Sequence, residues 1–303
     1  MNKRYIVARR FLIFWTLFIS IGAIGGSLCM LIDPSGKFMG MDAMLPYFQV
    51  LQFSDKLFQD FVFSGIMLLI VNGLTNLVAA CLLFAKKKIG IILGMIFGIT
   101  LMLWIIIQFV IFPFNFMSTA FFIIGLLQFI TGYVCLVGYY QSNFTFNQKD
   151  YTNIGKDNSK VVIYFSRLGY TKKLAYETAN NLGAEIIEIK PKEKISGDRG
   201  FWWCGRFGMH KWGMPIEEIN FDPARYNEII ICSPTWVFSL SAPVRQFCQQ
   251  YSGRINNVSY YITHFMGAKL NNVAKEMDKL LNTNYITFRS FQCHFGKLKE
   301  IKK

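Results

Sequence analysis

Three short segments in the second half of the chain carry residues suited to binding an anionic, flat ligand. The first is Ser166-Arg167-Leu168-Gly169-Tyr170-Thr171, which lies between a predicted strand and a predicted helix. Hydroxyls and free backbone N–H groups at a helix start can hold a phosphate, and the helix dipole favours the negative charge. The same residue types also suit any strand–turn–helix junction, so this fragment alone leaves both readings open. The second is Ser233-Pro234-Thr235-Trp236, read as a rigid turn that brings a large aromatic to the rim of a sheet. There the ring either stacks on a flat ligand or sits in the core. The third is Thr263-His264-Phe265-Met266-Gly267, where Gly267 lets backbone approach a ligand.

The elements that must position these segments alternate. Val161–Phe165 is a β-branched and aromatic run, followed by a helical stretch at Thr171–Leu182 that Gly183 closes. Further strands are predicted at Ala184–Ile189, Glu228–Cys232, Ser259–Thr263 and Tyr285–Phe291. Helices are predicted at Ala242–Gln250 and Leu270–Leu281. Strands alternating with helices imply a doubly wound parallel sheet covered on both faces, with ligands bound beyond the carboxyl ends of the strands. Only about a dozen residues follow the fifth strand, which leaves room for a short last helix.

Taken together, the segments resemble the flavodoxin family, particularly its short members. Tyr164-Phe165-Ser166-Arg167-Leu168-Gly169-Tyr170-Thr171 is similar to a YFSRTGNT-like pattern. Ser233-Pro234-Thr235-Trp236, with Ala242-Pro243-Val244-Arg245-Gln246-Phe247 after it, is similar to a GTPVW…PPxRxF-like one. The resemblance spans about residues 160–290 and implies FMN as cofactor. It implies the phosphate at the loop of Ser166, Arg167, Gly169, Tyr170 and Thr171. The ribityl chain and ring would lie near Pro234, Thr235 and Trp236, and the far ring edge near Thr263 and Gly267. Leu168 and Tyr170 depart from the family pattern, which has a hydroxyl and an Asn there.

An insert between the second and third strands, Phe201–Trp212, holds three tryptophans and is flanked or interrupted by Arg199, Arg206 and Lys211. This is the composition of a membrane-interface segment. The family places a related Gly- and basic-rich stretch near the flavin, so a cover over the cofactor is the competing reading. The seven cysteines show no CxxC spacing, which argues against a zinc site, an iron–sulfur cluster or a disulfide framework.

The first half has a different character. Phe11–Ile32, Phe61–Phe84, Ile89–Phe112 and Ala120–Tyr140 are free of Asp, Glu, Lys, Arg and His, and each is long enough to span a bilayer. The first is too long for a signal-peptide core. Lys3, Arg4, Arg9 and Arg10 precede the first run, and Lys86-Lys87-Lys88 lies between the second and third. The loop around Pro113 has no charge. The positive-inside rule then puts both termini and the C-terminal domain in the cytoplasm, with the chain in the inner membrane. The expected organisation is a four-helix transmembrane domain (1–140), a polar linker (141–159) and a flavodoxin-like FMN-binding domain (160–303). Asn72, Asn76, Gln108 and Gln128 are expected to bond between helices. Because all three histidines lie in the second half, the bundle does not look like a b-type cytochrome.

The motifs Gly25-Gly26, Asp33-Pro34-Ser35-Gly36 with Gly40, and Asp60-Phe61 with Gly65 and Leu68 resemble small bacterial four-span membrane proteins of unassigned function. That likeness brings no activity with it.

Residues 141–303 carry 23 Lys+Arg against 14 Asp+Glu, a net charge of about +9. An anionic leaflet, rather than nucleic acid, is the partner this balance fits. The expected role is electron transfer, or flavin-dependent reduction, at the cytoplasmic face. The alternative is a membrane bundle with the primary role, served by a redox-sensing or flavin-free second domain. Neither the redox donor nor the acceptor is legible in the sequence.

Overall fold

The four apolar runs form helices because a chain in hydrocarbon must satisfy its backbone internally. The structure is a computed structural model and describes residues 3–112 and 114–302; Pro113, in the loop expected to be free of charge, lies outside the described residues. Among the described residues are four helices long and apolar enough to cross a membrane: α1 (Lys3–Ile32), α2 (Val62–Phe84), α3 (Lys88–Ile111) and α4 (Phe116–Ser142). Small residues let α3 and α4 approach closely: a Cβ on Gly98 would stand 2.7 Å from the Gly125 carbonyl oxygen. Gln128 Nε2 donates to Asn76 Oδ1 (2.9 Å) and to the Gly94 carbonyl (2.7 Å), joining α2, α3 and α4. Asn72 lies in a π-helical turn of α2, Leu69–Leu74, where its carbonyl accepts from Asn76 Nδ2 (3.0 Å). Gln108 Oε1 accepts from Ser118 Oγ at 3.4 Å.

The motifs of the first half close the turn after α1. Asp33 accepts from the Ser35 hydroxyl (2.6 Å) and from the Phe38 N–H (2.7 Å). These bonds, with Ser35 as the largest cause, hold its carboxyl below the usual range. Gly36 is left-handed (φ +76°), and a Cβ there would collide with the buried Phe61 ring. The Phe61 N–H in turn donates to the Pro34 carbonyl (3.0 Å). These residues therefore have a structural role in the turn.

The chain divides into two compact units, residues 1–143 and 144–303. The expected linker 141–159 is largely folded. Its first residues finish α4, and Phe146, Tyr151 and Ile154 pack on the core of the second unit. The aromatic residues within an otherwise polar stretch are the reason.

The second unit is built on β1 (Asp157–Tyr164), α5 (Tyr170–Leu182), β2 (Ala184–Glu188), α6 (Gly197–His210), β3 (Glu228–Trp236), β4 (Ser239–Leu240), α7 (Ala242–Gln250), β5 (Val258–His264), α8 (Asn271–Leu281), β6 (Phe288–His294) and β7 (Lys297–Ile301). The sheet order is β2-β1-β3-β5-β6-β7, with β4 paired to β3. Alternating side chains feed two cores. Val161, Ile163, Ile229 and Ile231 face one side, and Val162, Tyr164, Ile230 and Cys232 face the other with α5.

Three expectations need correction. The sheet is mixed, since β7 runs antiparallel to β6. The last described element is that strand instead of a short helix, because Phe295-Gly296 forms a tight turn with both φ positive and Arg289 binds Glu300 through two bonds (2.8 and 2.6 Å). Ser233–Trp236 is strand and not turn: Ser233 and Pro234 continue the register with β5, and Thr235 and Trp236 pair with β4.

Arg245, on α7, is almost fully buried. Its Nε and Nη2 donate to Glu276 Oε1 of α8 (2.8 and 2.7 Å), and its Nη1 donates to the Trp212 carbonyl (3.1 Å). Glu276 Oε2 accepts from the Leu240 N–H at 3.2 Å. Replacing Arg245 by Met should lower stability by about 3 kcal/mol, the lower end for a broken buried pair because Glu276 keeps some exposure. Thermal unfolding in detergent would check this, and Arg245→Met with Glu276→Met should recover part of the loss.

Candidate functional site

The strand order reverses between β1 and β3: from β1 the chain goes out to β2 and then returns to β3 on the other side. A sheet wound this way leaves a crevice at the carboxyl ends of those strands. A cleft of about 300 Å³ lies there, at the lower end of the ligand-pocket range of roughly 300–1,000 Å³. Of the sequence-predicted residues, it brings together Ser166, Arg167, Tyr170, Thr171, Pro234, Thr235, Trp236 and Thr263. Gly169 and Gly267 do not line it.

The first loop is built around Gly169, which is left-handed (φ +94°) and donates its N–H to Ser166 Oγ (3.1 Å). No side chain caps α5, so the N–H groups of its first turn keep their hydrogen-bonding capacity. Thr171 Oγ1 and Thr263 Oγ1 share a bond of 2.7 Å that ties this loop to the end of β5. Arg167 is engaged by backbone: its Nε donates to the Ile195 carbonyl (3.0 Å) and its Nη2 to the Gly197 carbonyl (2.9 Å), which fixes the entry to α6. The departure at Tyr170 also has a structural reason. Its ring packs on Phe144, and its hydroxyl accepts from the Gly296 N–H (3.0 Å) in the C-terminal hairpin.

Trp236 belongs mostly to the core. It is 9% exposed and meets Phe165 edge-on at 5.5 Å, with only its remaining open surface on the cleft. Gly208 of α6 packs against it; a Cβ there would stand 3.0 Å from the Trp236 Cβ and from its carbonyl oxygen.

Two lining residues, Val237 and Cys293, escaped sequence reasoning. Phe201, Cys204 and Gly205, from the insert read as a possible cover, make α6 a wall of the cleft, and Leu168, His264 and Phe265, from two of the segments singled out in the sequence, also line it. Cys293 had no signal, because only the sheet register brings it here. Burial pushes the Cys293 thiol up to about 12, and raises Cys204 as well, so both stay neutral and weakly nucleophilic. Burial also lowers His264, which therefore stays neutral near pH 7 with Nε2 bonded to Ser290 Oγ (2.6 Å). The lining is thus apolar, with hydroxyls and backbone donors concentrated at the α5 end.

Solved structures similar to the chain lie in this region. A flavoprotein from Lactobacillus acidophilus in complex with FMN is 20% identical, over 44% of this chain and 93% of that one, with a TM-score of 0.37. A proposed flavoprotein from Bacteroides uniformis is 21% identical, over 45% and 92%, with a TM-score of 0.40. No protein-family model matches the chain, and no curated protein does.

The turn joining β3 to β4 is strained. Val237 (φ +49°) and Phe238 (φ +59°) occupy a two-residue hairpin turn of the kind that favours Asn-Gly. A β-branched or bulky residue held there costs roughly 1–3 kcal/mol. Val237→Asn with Phe238→Gly should therefore raise stability by about 1–2 kcal/mol. An unchanged or lower melting temperature would show that the two side chains are stabilised by contacts that outweigh the strain.

Proposed function

We propose that the chain is a membrane-anchored flavoprotein that binds FMN in this cleft and transfers electrons, or reduces a substrate, at the cytoplasmic face of the inner membrane. One observation carries the reading: an apolar cleft at the switch point of the sheet meets an uncapped helix start flanked by hydroxyls. The anchor follows from the four long apolar helices, and the orientation of both termini from the distribution of Lys and Arg.

The residues suit such a ligand. The α5 N–H groups and the Ser166 hydroxyl would receive the phosphate, with no free guanidinium required. Pro234, Thr235 and the open part of Trp236 would border the ring, and Thr263 its far side. Phe201, Val237 and Phe265 limit the entry of water. FMN, when bound, supplies a group that accepts one or two electrons. His264 stays neutral beside it, its Nε2 tied to Ser290, and adds no charge to the cleft.

A second reading, a flavin-free interaction or sensing module, is favoured by two features of the phosphate loop. Thr171 Oγ1 is already bonded to Thr263 Oγ1, and the Leu168 side chain offers no donor.

Gly205 separates the two readings. A Cβ there meets nothing within 4 Å, although the residue lines the cleft. Gly205→Leu therefore adds a large side chain at the cleft wall on an unobstructed Cβ and favours α6 by roughly 0.5–1 kcal/mol. The expected outcome is an equal or higher melting temperature with a marked loss of flavin from the purified protein. Flavin content equal to the wild type would contradict the assignment, and absence of flavin in both would support the second reading. Thr171→Glu is a poorer test, since it would bury a carboxylate.

A further inference from the structure

The outer side of α6 is not explained by the cleft. Its inner side supplies Cys204, Gly205 and the core residue Phe207. Its outer side leaves Trp202 76% exposed, and Met209 and the following Trp212 are exposed as well. Beside it, the strained hairpin tip holds Phe238 61% exposed and Val237 nearly as open. A soluble surface rarely carries a contiguous apolar patch of this kind without a partner.

The charge around the patch selects the partner. Residues 190–212 carry six Lys or Arg against two acids, Glu193 and Asp198, and Glu193 accepts from Trp203 Nε1 at 3.3 Å. Arg206 stacks its guanidinium over the rings of Trp203 (5.5 Å) and Trp212 (5.7 Å). Trp and cations alternating on one face of an amphipathic helix match the headgroup region of a bilayer, where an amphipathic ring keeps one edge wet. The last long apolar helix ends at Ser142 and the second unit begins at Phe144, so few residues separate the two along the chain.

We propose that the outer face of α6 and the tip of the β3–β4 hairpin dock into the headgroup layer of an anionic membrane. This rests on the reading of α1–α4 as membrane spans. It also gives the turn strain a function, because Val237 and Phe238 are kept at the surface where a turn of Asn and Gly would insert nothing. Each Lys or Arg near an anionic surface contributes about 1 kcal/mol, a factor of about five in a docking equilibrium.

The test uses the full-length chain reconstituted in vesicles of phosphatidylcholine and phosphatidylglycerol whose acyl chains carry bromine near the headgroups, a quencher of tryptophan emission. Replacing Trp15 and Trp104 by Phe removes the emission of the bundle. This variant should still be quenched by the brominated lipid, and adding Trp202→Ser should remove most of that quenching. Arg199→Glu with Lys211→Glu should reduce it severalfold in anionic vesicles. If the chain lacking Trp15 and Trp104 is untouched by brominated lipid and open to aqueous acrylamide, docking is overturned, and the face is one for a protein partner. Comparison with the wild type separates the two readings: loss of Trp15 and Trp104 quenching there would overturn the spans, and docking with them.

Discussion

The second unit depends on one buried ion pair, Arg245 with Glu276. A guanidinium removed from water is tolerable only when its charge and hydrogen bonds are satisfied, and here Glu276, itself partly exposed, meets both needs with help from backbone. The guanidinium reaches the carbonyl of Trp212 just beyond α6, and the carboxylate reaches the N–H of Leu240 in β4. Four elements that border or support the cleft are thereby fixed to one another: α6, the β3–β4 hairpin, α7 and α8. A hydrophobic pair could fill the same volume, but it could not bind two backbone groups at the ends of segments that would otherwise be free to shift.

The cleft reflects a division of labour on this frame. Its α5 end is polar and rests on backbone geometry, namely a left-handed Gly169, an uncapped helix start and a pair of threonine hydroxyls. The remainder is apolar and rests on side chains from four separate stretches of chain. Ionisable groups on the lining are either neutral through burial, as with Cys293 and His264, or committed elsewhere, as with Arg167. Such a site favours a ligand with one anionic end and a large flat body.

Much of this was legible in the residues. Strands with β-branched runs and helices closed by Gly appear close to where periodicity and caps put them, because those signals are local. Ser166, Thr171, Pro234, Thr235 and Thr263 converge as their positions at strand ends imply. What the residues concealed is non-local. The continuation of β3 through Pro234 follows from pairing with β5 on one side and β4 on the other. The last strand exists because a two-residue turn and the Arg289–Glu300 pair stabilise a hairpin, which composition alone does not distinguish from a short helix. Trp236 is core because α6 brings Gly208 onto it. Phe146 and Tyr151 looked like parts of a linker, since their partners on α5 lie more than twenty residues later in the chain.

The central claim is that the cleft receives a flavin through its phosphate. The direct measurement is a titration of the purified full-length chain, stripped of any bound flavin, with FMN and separately with riboflavin, followed by quenching of flavin fluorescence. The account predicts saturable quenching with FMN and binding weaker by at least about tenfold with riboflavin, the equivalent of about 1.4 kcal/mol for the phosphate contacts. Equal affinity for the two ligands, or no quenching by either while the fold is intact, would contradict it.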